Sequence, residues 1–109
     1  MTVKELAEKL NLTLLTQGDE DKQISGCYSG DLLSWVMSKA QPGDVWLTVM
    51  GNVNAVAVAV LTDCACIILT ENAPLDETAK IKAEIQGVTF LKSDKNAYEL
   101  SVAISQLLL

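Results

Sequence analysis

Two short apolar runs, Val45–Val49 and Ala65–Leu69, stand between polar residues near the middle of the chain, separated by a segment built almost wholly of Ala and Val. Short runs of this kind, rich in β-branched side chains and bounded by turn residues, predict buried strands. Alternation puts Trp46 on the opposite face from Val45 and Leu47. The intervening Ala55–Leu61 reads AVAVAVL, and its strict alternation also fits a strand, which would make a meander. A helix is the expectation, because joining two parallel strands takes a crossover of about ten or more residues. Asn52 and Asn54 are its candidate caps. The centre therefore reads as strand, helix, strand.

The flanking pattern extends this unit in both directions. Thr2 and Glu5 fit the S/T-x-x-E capping box and open a helix to about Leu10, with Val3, Leu6 and Leu10 on its core side. Leu12–Thr16 is a short β-like run, Gln17–Lys22 a solvated acidic turn, and Ile24–Ser29 a further strand. Ser29-Gly30-Asp31 reads as the cap of a helix over Leu32–Ala40 whose Leu32, Leu33, Val36 and Met37 form one apolar face. Gln41-Pro42-Gly43-Asp44 is a turn, with Pro setting φ and Gly permitting a positive one. Beyond Leu69, Thr70-Glu71-Asn72 is a turn, and Pro74 leads into a helix over Asp76–Gln86 stopped by Gly87. Thr78, Ile81 and Ile85 line one side of that helix, while Lys80, Lys82 and Glu84 mark an exposed one. Val88–Leu91 is the last strand. Asn96–Leu108 is a terminal helix with Leu100, Ala103, Ile104 and Leu107 facing inward. The expected fold is one layered α/β domain: a mostly parallel central sheet of about four to five short strands flanked by helices.

Composition narrows the function classes. The chain has 109 residues and net charge −6, with eight lysines, no arginine and no histidine. That balance argues against nucleic acid, whose phosphates and guanine edges are contacted mainly by Lys and Arg. It also removes the commonest general base and zinc ligand. Asn52, Asn54, Thr62 and Asp63 interrupt the longest apolar stretch, so no membrane span is expected. The N-terminus, MTVKELAEKL, is charged and amphipathic without a signal-peptide core, and the expectation is a cytoplasmic protein. Cys27, Cys64 and Cys66 read as free apolar thiols, since Cys64-x-Cys66 lacks the partners that complete a zinc site. The acidic run Asp19–Asp21 lacks the D-x-D-x-D-G spacing of a calcium loop, and Gly26 to Gly30 lacks the third glycine of a phosphate loop. No metal and no cofactor are expected.

The strand DVWLTV, the Asn52-led segment NVNAVAVAVL, and CACIILTENAPLDETAKIKAEIQGVTFLKS together resemble the DRTGG domain, with Ile24–Asp31 similar to that family's earlier strand and turn. The family is related to the N-terminal domain of HPr kinase/phosphorylase and occurs in phosphotransacetylases and CBS-domain proteins. The likeness covers nearly the whole chain and implies one domain, residues 1–109, with an HPr kinase N-terminal-domain-like fold. It implies a non-catalytic module, because the P-loop of HPr kinase lies in another domain. The DRTGG pentapeptide is absent, and Glu71-Asn72 stands where the family often carries a glycine pair after the strand.

In open α/β sheets ligands bind beyond the carboxyl ends of the strands. The candidate ligand residues are therefore Ser29, Gly30 and Asp31; Gly51, Asn52 and Asn54; Thr70, Glu71 and Asn72; and Ser93 and Asp94. Caps and turns want the same residue types, so a purely structural role for them stands beside the ligand role. The leading expectation is a regulatory module sensing a small molecule such as a nucleotide. The alternative is an adaptor, a homodimer presenting Trp35, the C-terminal leucines and its acidic surface to a partner enzyme. A third reading uses a cysteine as nucleophile, activated without histidine by Lys or a helix N-terminus.

Overall fold

Hydrogen-bonded pairing centres the sheet on the two apolar runs. The computed structural model describes Met1–Leu109. Its elements are α1 (Val3–Lys9), β1 (Thr13–Thr16), β2 (Gly26–Ser29), α2 (Leu33–Lys39), β3 (Asp44–Thr48), α3 (Val53–Thr62), β4 (Cys66–Leu69), α4 (Glu77–Gln86), β5 (Phe90–Lys92) and α5 (Ala97–Leu108). The strands lie in the order β1-β5-β4-β3-β2. Strands β2 to β5 are parallel neighbours, and β1 pairs antiparallel with β5 at one edge. The segment around Ala55–Leu61 is a helix, and the meander does not form: β3 and β4 are parallel, and only a crossover joins parallel neighbours.

Every residue of β3 and β4 is buried, so both faces of the sheet need a covering layer. On one face Trp46, Ile67, Leu69 and Phe90 meet α2, α3 and α4 through Val36, Ala55, Val56, Ala59, Ala79 and Ala83. On the other, Val45, Leu47, Cys66, Ile68 and Leu91 meet α1 and α5 through Val3, Leu6, Leu100 and Ile104. The alternation of Trp46 against Val45 and Leu47 is thus realised. The single polar atom of the Trp46 side chain, Nε1–H, donates to the Gly30 carbonyl at 2.8 Å, so the ring is buried without an orphaned donor. No helix is long and apolar enough to cross a membrane.

Several local expectations hold in detail. Thr2 and Glu5 form the capping box, and Asn52 accepts from the Ala55 N–H as the cap of α3. Gly87 ends α4 in the left-handed conformation. Others are corrected by packing. On α4 it is Ala79 and Ala83 that face the sheet, while Ile81 and Ile85 point outward. Small side chains let the helix axis approach the sheet closely, which the larger isoleucines would prevent. On α2 only Val36 is fully buried, and Leu32, Trp35 and Met37 are exposed. Ser29-Gly30-Asp31 does not cap α2: the cap position is Leu32, with no side-chain bond. The turn after β1 is solvated as expected, with no residue of Gln17–Lys22 buried, and it is anchored at Gly18, which packs on the backbone of Gly87 and whose N–H donates to Thr89 Oγ1.

Gly51 shows how tightly the crossovers are nested. A Cβ there would lie 2.0 Å from the Pro74 carbonyl oxygen, and the Gly51 carbonyl accepts from the Asp76 N–H at 2.8 Å. The close approach required of this glycine is to the chain's own next loop. Gly51→Ala is expected to destabilise the fold by about 1–3 kcal/mol through overpacking against backbone. Chemical denaturation of the two proteins measures this directly, and an unchanged midpoint would mean the Pro74 loop yields freely.

Candidate functional site

The two ends of the parallel strands differ. At the amino ends the chain crosses from β1 to β2, the opposite edge of the sheet, through residues 17–25. Gly18, Ile24 and Ser25 tie this segment down through Thr89, Met1 and Gly43. The Lys22 ammonium pairs with the Asp63 carboxylate and also donates to the Cys64 carbonyl at 3.2 Å. A cleft of about 260 Å³ remains there, lined by this ion pair and the ends of α3 and α4.

Parallel strands bring all four turns to the carboxyl edge, as the sequence requires. The end of β2 is occupied internally. Asp31 Oδ1 accepts from Thr48 Oγ1 at 2.7 Å and from the Val49 N–H at 3.0 Å, strapping β2 to β3. Gly30 donates to Leu47 and accepts from Trp46, and Ser29 is exposed on the edge strand. At the end of β3, Gly51 is covered by Pro74 and the Asn52 amide is spent as a cap, while Asn54 is exposed in the first turn of α3.

The geometry changes at β4 and β5. After β4 the chain passes to the face carrying α4, whereas after β5 it passes to the opposite face, carrying α5. Neighbouring strands whose connections part to opposite faces leave a crevice outside their carboxyl ends. Two backbone hydrogen bonds lace the parting turns, from Glu71 N–H to Lys95 O and from Asn72 N–H to Ser93 O, both at 2.9 Å. Thr70 is buried and its N–H donates to Thr48 O. Beside this lacing opens a cleft of about 450 Å³. Asn72, the run Lys92, Ser93, Asp94 and Lys95, and the segment Leu10, Asn11 and Thr13 line it. Of the sequence-derived candidates the cleft gathers Asn72, Ser93 and Asp94, and the remainder belong to the neighbouring turns. Lys92, Lys95, Asn11 and Thr13 were not among them. They meet only because β1 pairs with β5, some eighty residues away along the chain, as in the Thr13–Lys92 partnership.

Glu71 and Asn72 both adopt the left-handed conformation, with φ of 56° and 55°. This is the backbone that glycine takes without penalty, and it explains in physical terms why a glycine pair suits this turn. Asn tolerates it through its short amide, while Glu gains no such relief.

The thiols are poor nucleophiles. Burial pushes Cys64 up to about 12, and burial drives Cys66 higher still. Cys27 is the exposed thiol of the edge strand, yet desolvation of its sulfur and the nearby Asp44 carboxylate raise it to about 11. None lies in the carboxyl-edge cleft. No cluster of three His, Cys, Asp or Glu side chains is placed to hold a metal.

Crossover topology and edge geometry together define a small α/β domain with an open carboxyl edge. The chain belongs to the DRTGG domain family, whose sequence model matches residues 5–107. Its fold is similar to the crystal structure of the CBS and DRTGG domains of the regulatory region of Clostridium perfringens pyrophosphatase, complexed with the activator diadenosine tetraphosphate. The TM-score is 0.78 at 13% sequence identity, with 96% of this chain covered. The chain spans about half the length of that region, 46%. No curated protein matches the sequence significantly.

Replacing Glu71 by Gly removes the left-handed penalty of about 1–2 kcal/mol and restores about 0.5–1 kcal/mol of unfolded-chain entropy. Glu71→Gly should therefore stabilise the fold by somewhat under about 1 kcal/mol, read as a rise in Tm of a few degrees. A fall in Tm would show that the Glu71 side chain itself supports the turn.

Proposed function

We propose that this domain is a non-catalytic regulatory module that senses a small ligand, such as a nucleotide, at the carboxyl edge of its sheet. The observation carrying this reading is the parting of connections at β4 and β5, which sets a polar cleft at the place where open α/β sheets bind ligands. Asn72, Ser93 and Asp94 contact the ligand. Thr70 and Glu71 hold the laced turn, and Ser29, Gly30, Asp31, Gly51, Asn52 and Asn54 build the rest of the edge. Support comes from the related pyrophosphatase region, which is regulatory and was crystallised with a nucleotide activator. A chain without histidine, and with every thiol raised above its ordinary range, brings little to acid–base or nucleophilic work. The module works in the cytoplasm, and its net charge of −6 disfavours nucleic acid as a partner.

A thermal-shift panel of adenine and guanine nucleotides, cyclic dinucleotides, acetyl phosphate, coenzyme A and magnesium tests the reading. A ligand at about 100 times its Kd adds about 2.7 kcal/mol of stability, several degrees for a domain of this size. One saturable hit is expected. A flat panel removes the support for sensing within these ligand classes.

The outer face of α3 and α4 favours a second reading, association with a second copy of this chain. Val53, Ala57, Val60 and Leu61 form the solvent side of α3, and Ile81 and Ile85 are exposed on neighbouring α4, whose Lys82 and Gln86 border Val60 and Leu61; Leu61 and Ile85 are 71% and 73% exposed. A water-facing helix is ordinarily polar on that side. With Trp35 on adjacent α2, these short helices offer a footprint of roughly 400 Å² from helix dimensions alone. Leu107 and Leu108 pack with the opposite face, so one flat interface does not use both Trp35 and the C-terminal leucines. Light scattering across a concentration series should show a dimer that Leu61→Glu with Ile85→Glu dissociates. A monomer at every concentration sinks this reading.

A further inference from the structure

We propose that the cleft at the carboxyl end of β5 binds the phosphate groups of a phosphorylated small molecule, with Lys92 and Lys95 supplying the cationic contacts. The proposal rests on the ligand-sensing reading of this edge and names the chemistry of what it takes. Its volume, about 450 Å³, suits a small ligand.

Charge is the first argument. The protein carries eight cationic side chains against fourteen acidic ones, so cations gathered on a concave surface are unusual for this chain. Two of the eight, Lys92 and Lys95, line this one cleft. The structure contains one salt bridge, Lys22–Asp63, at the opposite end of the sheet. Lys92 and Lys95 are therefore not neutralised by a carboxylate, although Asp94 stands between them in sequence and lines the same cleft. Their ammonium groups are available to an external anion, and charge-assisted bonds to phosphate are among the stronger polar contacts a protein makes.

The neutral lining fits the same ligand. Asn11 and Thr13 from one segment and Asn72 from another bring amide and hydroxyl donors, and each can donate to a phosphate oxygen. Asn11 and Asn72, both in the lining, have positive φ, 53° and 55°. The lacing bonds from Glu71 to Lys95 and from Asn72 to Ser93 fix Asn72 against the Lys92–Lys95 run, and the pairing of Thr13 with Lys92 fixes the remaining lining to it before any ligand arrives. Asp94 is the one acidic group of the lining and opposes phosphate electrostatically. It sets an upper limit on affinity and gives the proposal a second handle.

Inorganic pyrophosphate is the probe, titrated calorimetrically against the full chain at low ionic strength. It is expected to bind, and binding should weaken as salt screens the lysines. Lys92→Gln with Lys95→Gln should cost about tenfold or more in affinity, the loss expected for charge-assisted contacts. Asp94→Asn should tighten binding several-fold. Lys80→Gln with Lys82→Gln on α4, an equal change in net charge elsewhere, should leave it unaltered. Circular dichroism checks that each variant keeps the fold. Equal losses in both lysine pairs would reduce the effect to net charge and overturn the proposal. So would pyrophosphate binding no tighter than about 1 mM while a nucleotide from the panel binds; the sensing reading then survives and the phosphate assignment does not. If neither pyrophosphate nor any panel member binds, both fall together.

Discussion

Complete burial of β3 and β4 is the constraint from which the rest of this domain follows. Strands with apolar side chains on both faces must be covered twice, and the parallel arrangement requires each pair of strands to be joined by a crossover. Helices α2, α3 and α4 supply one cover in three successive crossovers, and α1 and α5 supply the other. The sheet separates two apolar clusters that share no side chain but share every central strand. Disturbing one layer therefore uncovers strands on which the other depends.

The second layer also creates the candidate site. Had the chain continued past β5 with another crossover on the α4 face, all connections would have turned the same way. Instead α5 leaves for the far face, and α1 returns from that face to feed β1. The strand order changes direction sense at β5, where an antiparallel partner replaces a parallel one. The open cleft lies beside that change. Elsewhere along the same edge, polar turn residues are absorbed by the fold itself, Asp31 into a strap between strands and Asn52 into a cap.

The turn after β4 shows how fold and site share one backbone. Its consecutive left-handed residues are unusual for Glu and acceptable for Asn. The conformation lets Glu71 and Asn72 present their N–H groups to Lys95 and Ser93, which joins the β4 and β5 turns into one unit. A glycine pair would adopt the same path without strain. This chain meets that demand of the backbone with other residues.

What the sequence determined by itself was local. Residue spacing specified most of the helices and strands, the alternation that sets Trp46 against Val45 and Leu47, the Thr2–Glu5 capping box and the stop at Gly87, because each depends on neighbours within a few positions; the helix over Ala55–Leu61, whose spacing fits a strand, followed instead from the need for a crossover. The convergence of the four strand ends also followed once the strands were parallel. Tertiary structure decided the rest. Hydrophobicity alone selected Ile81 and Ile85 as the inner face of α4, but close packing against the sheet admits only Ala79 and Ala83 there. Composition marked Asp31 as a cap, yet its carboxylate found closer donors on β3, a strand that sequence does not place beside it. Lys92 and Lys95 carried no signal as surface lysines. They became members of a cleft with Asn11 and Thr13 only through the pairing of β1 with β5, a long-range register that no local pattern encodes.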